Sequence, residues 1–231
     1  MAKSNSSAGL RGQSAGETAV CTVGAEGNSL RYRGYDVVEL AEQSSFNEVA
    51  YMIFKGELPT SAELDAYIER LNGMRSLPPA LCEVLEQIPA DAHPMDVMRT
   101  GCSFLGNIEP EGDFSNQQEV ADRLMSLFPA MVVYWYRYSH DGVRIGTDTG
   151  ESGIGAHFLH MLHGREPSEL EKRVMDVSLI LYAEHEFNAS TFTSRIIAGT
   201  GADIYSAITG AIGALRGPLH GGANEAAMEL I

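Results

Sequence analysis

Apolar and polar residues alternate with period two over residues 18–24 and 30–35, the spacing of half-buried strands. Glu26, Gly27, Asn28 and Ser29 between them are a turn signal, so the start of the chain predicts a short β-hairpin. From Asp36 onward the period becomes that of amphipathic helices. Asp36 is placed to cap a helix carrying Val37, Val38, Leu40 and Ala41. Ser45 with Glu48, and Thr60 with Glu63, have the three-residue spacing of capping boxes, which opens two more helices. The first is expected to end at Gly56, and the second to turn Leu64, Tyr67, Ile68 and Leu71 inward. Pro78 and Pro79 precede a helix with Leu81, Val84, Leu85 and Ile88 inward, and Pro94 suits the first turn of the next. Residues 106–116 and 141–153 read as loops. Between them lies a long helix over 118–138, where Pro129 is the expected point of a kink. A helix over 157–163 ends at Gly164, and Pro167 opens a helical run to about Thr200 that breaks near His185. The last full helix, 202–215, is rich in Ala, Gly and Ser, residues small enough to let helices approach closely.

These elements add up to an all-α, mainly helical fold with a short N-terminal β-hairpin. The 231 residues are 44% hydrophobic, enough for a substantial core. No apolar run reaches the length of a membrane span. The formal net charge is −15, which argues against nucleic acid or an anionic membrane as the main partner. It does not exclude an anionic small molecule, because a few local cations suffice to hold one. Cys21, Cys82 and Cys102 are far apart in sequence and form no C-x-x-C pair, so they read as reduced structural thiols. Residues 1–16 lack the apolar core of a secretory signal and read as a flexible tail in preference to an organellar presequence. A cytoplasmic location follows as the expectation.

Two histidine segments carry the candidate chemistry. His185 and Asn188 are three apart, which on a helix places imidazole and carboxamide on one face, able to hold a carboxylate or carbonyl oxygen. The same residues also fit a polar helix terminus capped by Asn188 and Glu186. His185 and Glu186 do not begin a zinc H-E-x-x-H motif, because Ala189 stands where the second histidine belongs. His220 lies in a bend of Gly217, Pro218, Gly221 and Gly222, where backbone can come close to a ligand. There it is a candidate donor to a developing enolate or oxyanion. The backbone of Gly221 and Gly222, and a helix start from Ala223 onward, are candidate anion-stabilising groups. An incidental histidine in a helix–helix turn fits the same pattern. His157, His160 and His163 recur every third residue. They read as a half-exposed helix face, and no metal site is expected. Tyr134, Trp135, Tyr136 and Tyr138 read as a helix packed between neighbours or against another subunit.

At these two histidines the sequence resembles the citrate synthase family, and most of all its bacterial 2-methylcitrate synthase branch. Residues 182–195, with the order Glu184, His185, Glu186, Phe187, Asn188, carry the resemblance. So do residues 198–201 and residues 213–225, which contain the Gly-Pro-Leu-His-Gly-Gly bend. Residues 21–24, 30–36 and 93–99 support it.

The resemblance implies a homodimeric, nearly all-α enzyme that condenses an acyl-CoA with oxaloacetate and then hydrolyses the thioester. Propionyl-CoA would be the substrate in propionate breakdown, with acetyl-CoA the alternative in a citrate synthase of the tricarboxylic acid cycle. No tightly bound cofactor is implied, since the acyl-CoA is itself a substrate. His185 and Asn188 would contact oxaloacetate, together with His220. His220 would also hydrogen-bond the thioester carbonyl as the enol forms. On this reading residues 17–221 belong to a large helical domain and 222–231 begin a small one. A further histidine, a catalytic aspartate and carboxylate-binding arginines are expected in the family but cannot be placed in this sequence. The chain by itself is therefore expected to lack synthase turnover. A short, inactive relative that dimerises with a full-length synthase is the alternative from a non-enzyme class.

Overall fold

The computed structural model describes residues 15–24 and 29–222. Three short antiparallel strands, β1 (Cys21–Val23), β2 (Leu30–Tyr32) and β3 (Tyr35–Asp36), form a sheet in that order. The expected single strand over 30–35 is thus two strands. Arg33 and Gly34 both take positive φ, 52° and 93°, and this two-residue turn folds the chain back on itself. Glu26, Gly27 and Asn28 of the turn expected over 26–29, most of residues 1–16 and the segment from Ala223 onward lie outside the described residues.

The helices start where short polar side chains can satisfy their first N–H groups. In α1 (Val37–Gln43), Asp36 accepts from the Val38 N–H at 2.9 Å. In α2 (Phe46–Lys55) and α3 (Ser61–Asn72), both expected capping boxes are formed, by Ser45 with Glu48 and by Thr60 with Glu63. Gly56 closes α2 in the left-handed conformation. Next come α4 (Pro79–Leu85), α5 (Pro94–Ile108) and a 3-10 turn at Phe114–Asn116. The helix α6 (Gln117–Asp141) runs for 25 residues through Pro129. It is followed by α7 (Ile154–His163), closed by a left-handed Gly164. The run after Pro167 divides into α8 (Glu169–Leu181), with its own capping box from Ser168 and Glu171, and α9 (Ala189–Ala198). Last among the described residues is α10 (Ile204–Leu215).

Four hydrophobic clusters among the described residues hold these elements, and two of them are large. The larger joins α4, α5, α6 and α10 around Leu105, Leu127, Met131 and Trp135. The Trp135 indole N–H donates to the Ile88 carbonyl at 3.2 Å, so its polar edge is satisfied inside. The smaller packs the sheet, α1, α2 and α8 around Tyr32, Met52 and Ile180. Helix α10 lies against both α5 and α9. Its contacts are close because the facing positions are small. A Cβ on Gly106 of α5 would sit 2.8 Å from the Tyr205 Cβ, and one on Gly210 would overlap Ile197 of α9. This close packing, anticipated from the Ala/Gly/Ser content of α10, brings the start of α9 near the turn that follows α10.

The histidines of α7 do not form the half-exposed face expected of them. His157 is fully buried, His160 half-buried and His163 exposed. His157 Nδ1 lies 2.8 Å from Thr149 Oγ1, and its Nε2 is buried without a partner among the described residues. Burial is the main reason its pKa falls to about 4, with the nearby Arg75 cation acting in the same direction.

Candidate active site

The break expected near His185 is a seven-residue connection, 182–188, between α8 and α9. Here the structure corrects the expectation that His185 and Asn188 share a helix face. His185 is exposed in the connection, and Asn188 is the N-cap of α9. The physical reason is Glu186, whose φ of 54° is incompatible with a continuing right-handed helix. Asn188 Oδ1 accepts from the Thr191 N–H at 2.9 Å and from the Ser190 hydroxyl at 2.7 Å. The capping reading of Asn188 therefore describes its oxygen, and the carboxamide nitrogen is the group left to offer a ligand.

The structure brings His220 to the same helix start. His220 Nε2 lies 3.0 Å from Ser190 Oγ across 30 residues of sequence. Ser190 has one hydroxyl proton. When it lies on Asn188 Oδ1, the serine oxygen accepts from the His220 N–H. The second ring nitrogen is then left for another partner. Asn188, Ser190 and His220 thus form one hydrogen-bonded chain. Sequence reasoning missed Ser190 because nothing local marks it; only the α9–α10 packing places it beside the histidine.

The bend around His220 is held by its own backbone. The His220 N–H donates to the Gly217 carbonyl at 3.0 Å, the Gly221 N–H to Leu215 at 3.1 Å and the Gly222 N–H to Gly217 at 3.4 Å. Gly221 and Gly222, expected as anion donors, therefore spend their N–H groups inside the turn. The role of Gly221 is steric, since a Cβ there would collide with the Leu215 carbonyl. The helix start expected from Ala223 lies outside the described residues.

Around His185 the connection carries more charge. Glu184 sits half-buried beside it. Burial raises the Glu184 pKa, partly offset by the N–H groups of Glu186 and His185 that donate to its carboxylate. The Arg195 guanidinium lies 4.7 Å from the centre of the Phe187 ring. A separate cleft of about 470 Å³, lined by Glu111, Arg123 and Tyr205 among others, does not include His185, Asn188 or His220 in its walls.

Residues 9–231 match the family model described as the citrate synthase C-terminal domain. The chain belongs to the citrate synthase family. Over 230 residues it is 69% identical to a 2-methylcitrate synthase of Shewanella oneidensis, covering 100% of this chain and 61% of that one. It is 44% identical over 221 residues to a 2-methylcitrate synthase of Mycobacterium tuberculosis, covering 95% of this chain and 56% of the other. Its fold superposes with a TM-score of 0.87 and 29% identity on citrate synthase from the archaeon Thermoplasma acidophilum, in a ternary complex with carboxymethyl coenzyme A and oxaloacetate. That match covers 96% of this chain and 58% of the archaeal one. The chain thus spans about 60% of the length of these citrate synthase relatives. Among the described residues no helix is long and apolar enough to cross a membrane.

Proposed function

We propose that the chain provides part of the active site of a 2-methylcitrate synthase, which joins propionyl-CoA to oxaloacetate and hydrolyses the thioester. The observation that carries this reading is the 69% identity over 230 residues to a protein of that name. The Asn188–Ser190–His220 chain beside the His185 connection supports it. On this reading His185 and the Asn188 carboxamide nitrogen hold oxaloacetate. His220 is tethered to Ser190 through Nε2 and, when both ring nitrogens carry protons, donates from Nδ1 to the thioester carbonyl. That hydrogen bond stabilises the enol as the α-carbon loses its proton to the catalytic aspartate that the family resemblance implies. The enol carbon then forms a bond to the ketone carbon of oxaloacetate, and water cleaves the thioester to release coenzyme A. The acyl-CoA is a substrate, and no tightly bound cofactor takes part. The reading extends to a homodimer, cytoplasmic and serving propionate breakdown, with acetyl-CoA as the poorer alternative acyl donor.

The chain spans 61% of the length of the Shewanella relative, and the proposal extends to this polypeptide alone having little turnover, since general-base catalysis by itself is worth about 10²–10⁴-fold. Purified chain, incubated with propionyl-CoA and oxaloacetate and followed by thiol release, tests that statement. Turnover within about a hundredfold of the intact Shewanella protein would overturn it. The function itself is tested by joining this chain to the remaining part of the Shewanella protein. The fusion should use propionyl-CoA in preference to acetyl-CoA. His220→Ala in that fusion should cost about 10²–10³-fold in kcat, the scale of a lost oxyanion donor. A fusion that folds but condenses neither acyl-CoA would refute the assignment.

A further inference from the structure

The connection that carries His185 is held by the N-terminal sheet, more than 140 residues away in sequence. Tyr32 of β2 is fully buried, and its hydroxyl donates to the Ile180 carbonyl at 3.0 Å and to the Leu181 carbonyl at 3.4 Å. Those carbonyls belong to the last turn of α8, where the Ile180 carbonyl also accepts the Ala183 N–H at 3.2 Å, and the Tyr32 hydroxyl adds a donor from outside the helix. Tyr32 therefore caps α8 from another element. Burial is the main cause of the rise in its pKa to about 12, so the hydroxyl keeps its proton and remains a donor at neutral pH.

Five residues beyond Leu181, Glu186 makes the second attachment. Its Oε1 accepts from the Val23 N–H of β1 at 3.2 Å. Strand β1 pairs with β2 alone within the sheet, so this contact uses its open edge. Glu186 itself sits at a φ of 54°, a left-handed conformation that a residue with a side chain holds only where its surroundings fix it. A third contact is apolar: Gly16 lies against the Phe187 ring, close enough that a Cβ there would be 3.2 Å from its edge. His185 is bracketed by these attachments, with its own side chain exposed.

We infer that the small sheet is a buttress for the 182–188 connection, and that Tyr32 and Glu186 are positioning residues that aim His185. Its functional meaning rests on the proposed contact between His185 and oxaloacetate. Neither residue touches that ligand; each acts through the backbone on either side of the histidine.

Hydrogen–deuterium exchange separates this role from general stability. Tyr32→Phe and Glu186→Ala should each speed exchange across residues 182–190 by about fivefold, the effect of one net hydrogen bond. Exchange within α6 should stay unchanged. Glu186→Gln should restore protection, because its amide oxygen still accepts from Val23, whereas Glu186→Ala retains the Cβ and so the same backbone demand. Should Tyr32→Phe loosen the whole molecule, the two variants of the half-buried Glu186 decide the matter alone. Calorimetric titration with oxaloacetate should show a similar fold loss of affinity in Tyr32→Phe and Glu186→Ala. Unchanged exchange at 182–190 in Glu186→Ala, or an equal rise in α6, overturns the buttress. Loosened exchange with undiminished oxaloacetate affinity overturns the aiming of His185. Wild-type chain that binds no oxaloacetate counts against the substrate reading, while the exchange data still decide the buttress.

Discussion

The Ser190–His220 contact can be tested by a double-mutant cycle. Ser190→Ala removes one hydrogen bond to His220, at 3.0 Å, and one to Asn188, at 2.7 Å. Asn188 keeps the Thr191 N–H as a partner, so no acceptor is left wholly empty. Each net hydrogen bond is worth about 1 kcal/mol, and the residues are only partly buried, so water recovers some of the loss. Ser190→Ala should therefore destabilise the chain by about 1–2 kcal/mol, a fall in Tm of about 2–8 °C for a domain of this size. His220→Ala removes one bond of the same pair. Its loss and that of Ser190→Ala should overlap, so that the double mutant falls short of their sum by about 1 kcal/mol. Urea unfolding of wild type, both single mutants and the double mutant, with equal m-values, measures the overlap. Additivity within about 0.3 kcal/mol would refute the contact and with it the argument that α9 orients the histidine.

His157 is held neutral in the fold with a pKa of about 4, against 6.5 for the free side chain. The unfolded chain binds the extra proton first, so this contribution is full above pH 6.5 and is lost as pH falls toward 4. His157→Gln should flatten the urea-midpoint profile over that window by an amount on the order of 3 kcal/mol, and a profile parallel to wild type would contradict the burial argument. Gly221→Ala should cost about 1–3 kcal/mol by forcing its Cβ away from the Leu215 carbonyl, and in histidine NMR spectra it should shift the His220 ring signals. An unmoved His220 would show the turn to be indifferent to that position. Asp122 is 2% exposed and accepts from Arg70 Nε and Gln118 Nε2, each at 2.9 Å. Asp122→Ala should cost about 2–3 kcal/mol, less than a fully buried pair because the Arg70 side chain is 43% exposed. Chemical denaturation that finds no loss would mean that these bonds merely replace water.

The sequence by itself determined whatever depends on neighbours within a few residues. Both capping boxes, the Asp36 cap, the glycine stops at Gly56 and Gly164 and most helix spans were legible, because a helix end is a local contest for N–H and C=O groups. The family was legible too, because residues 182–195 and 213–225 keep a distinctive order of residue types. Local pattern failed where backbone conformation departs from the regular periods. The Arg33–Gly34 turn split an apparent single strand, and the left-handed Glu186 took His185 off the helix it had seemed to share with Asn188. Tertiary structure alone decided three further matters. It buried His157, placed Ser190 against His220, and set Tyr32 under the end of α8. Each depends on which helix packs on which, and that is set by small-residue contacts such as Gly210 against Ile197. The Ser190–His220 and Tyr32–Ile180 contacts join residues 30 and 148 positions apart, so no local window of sequence contains both partners.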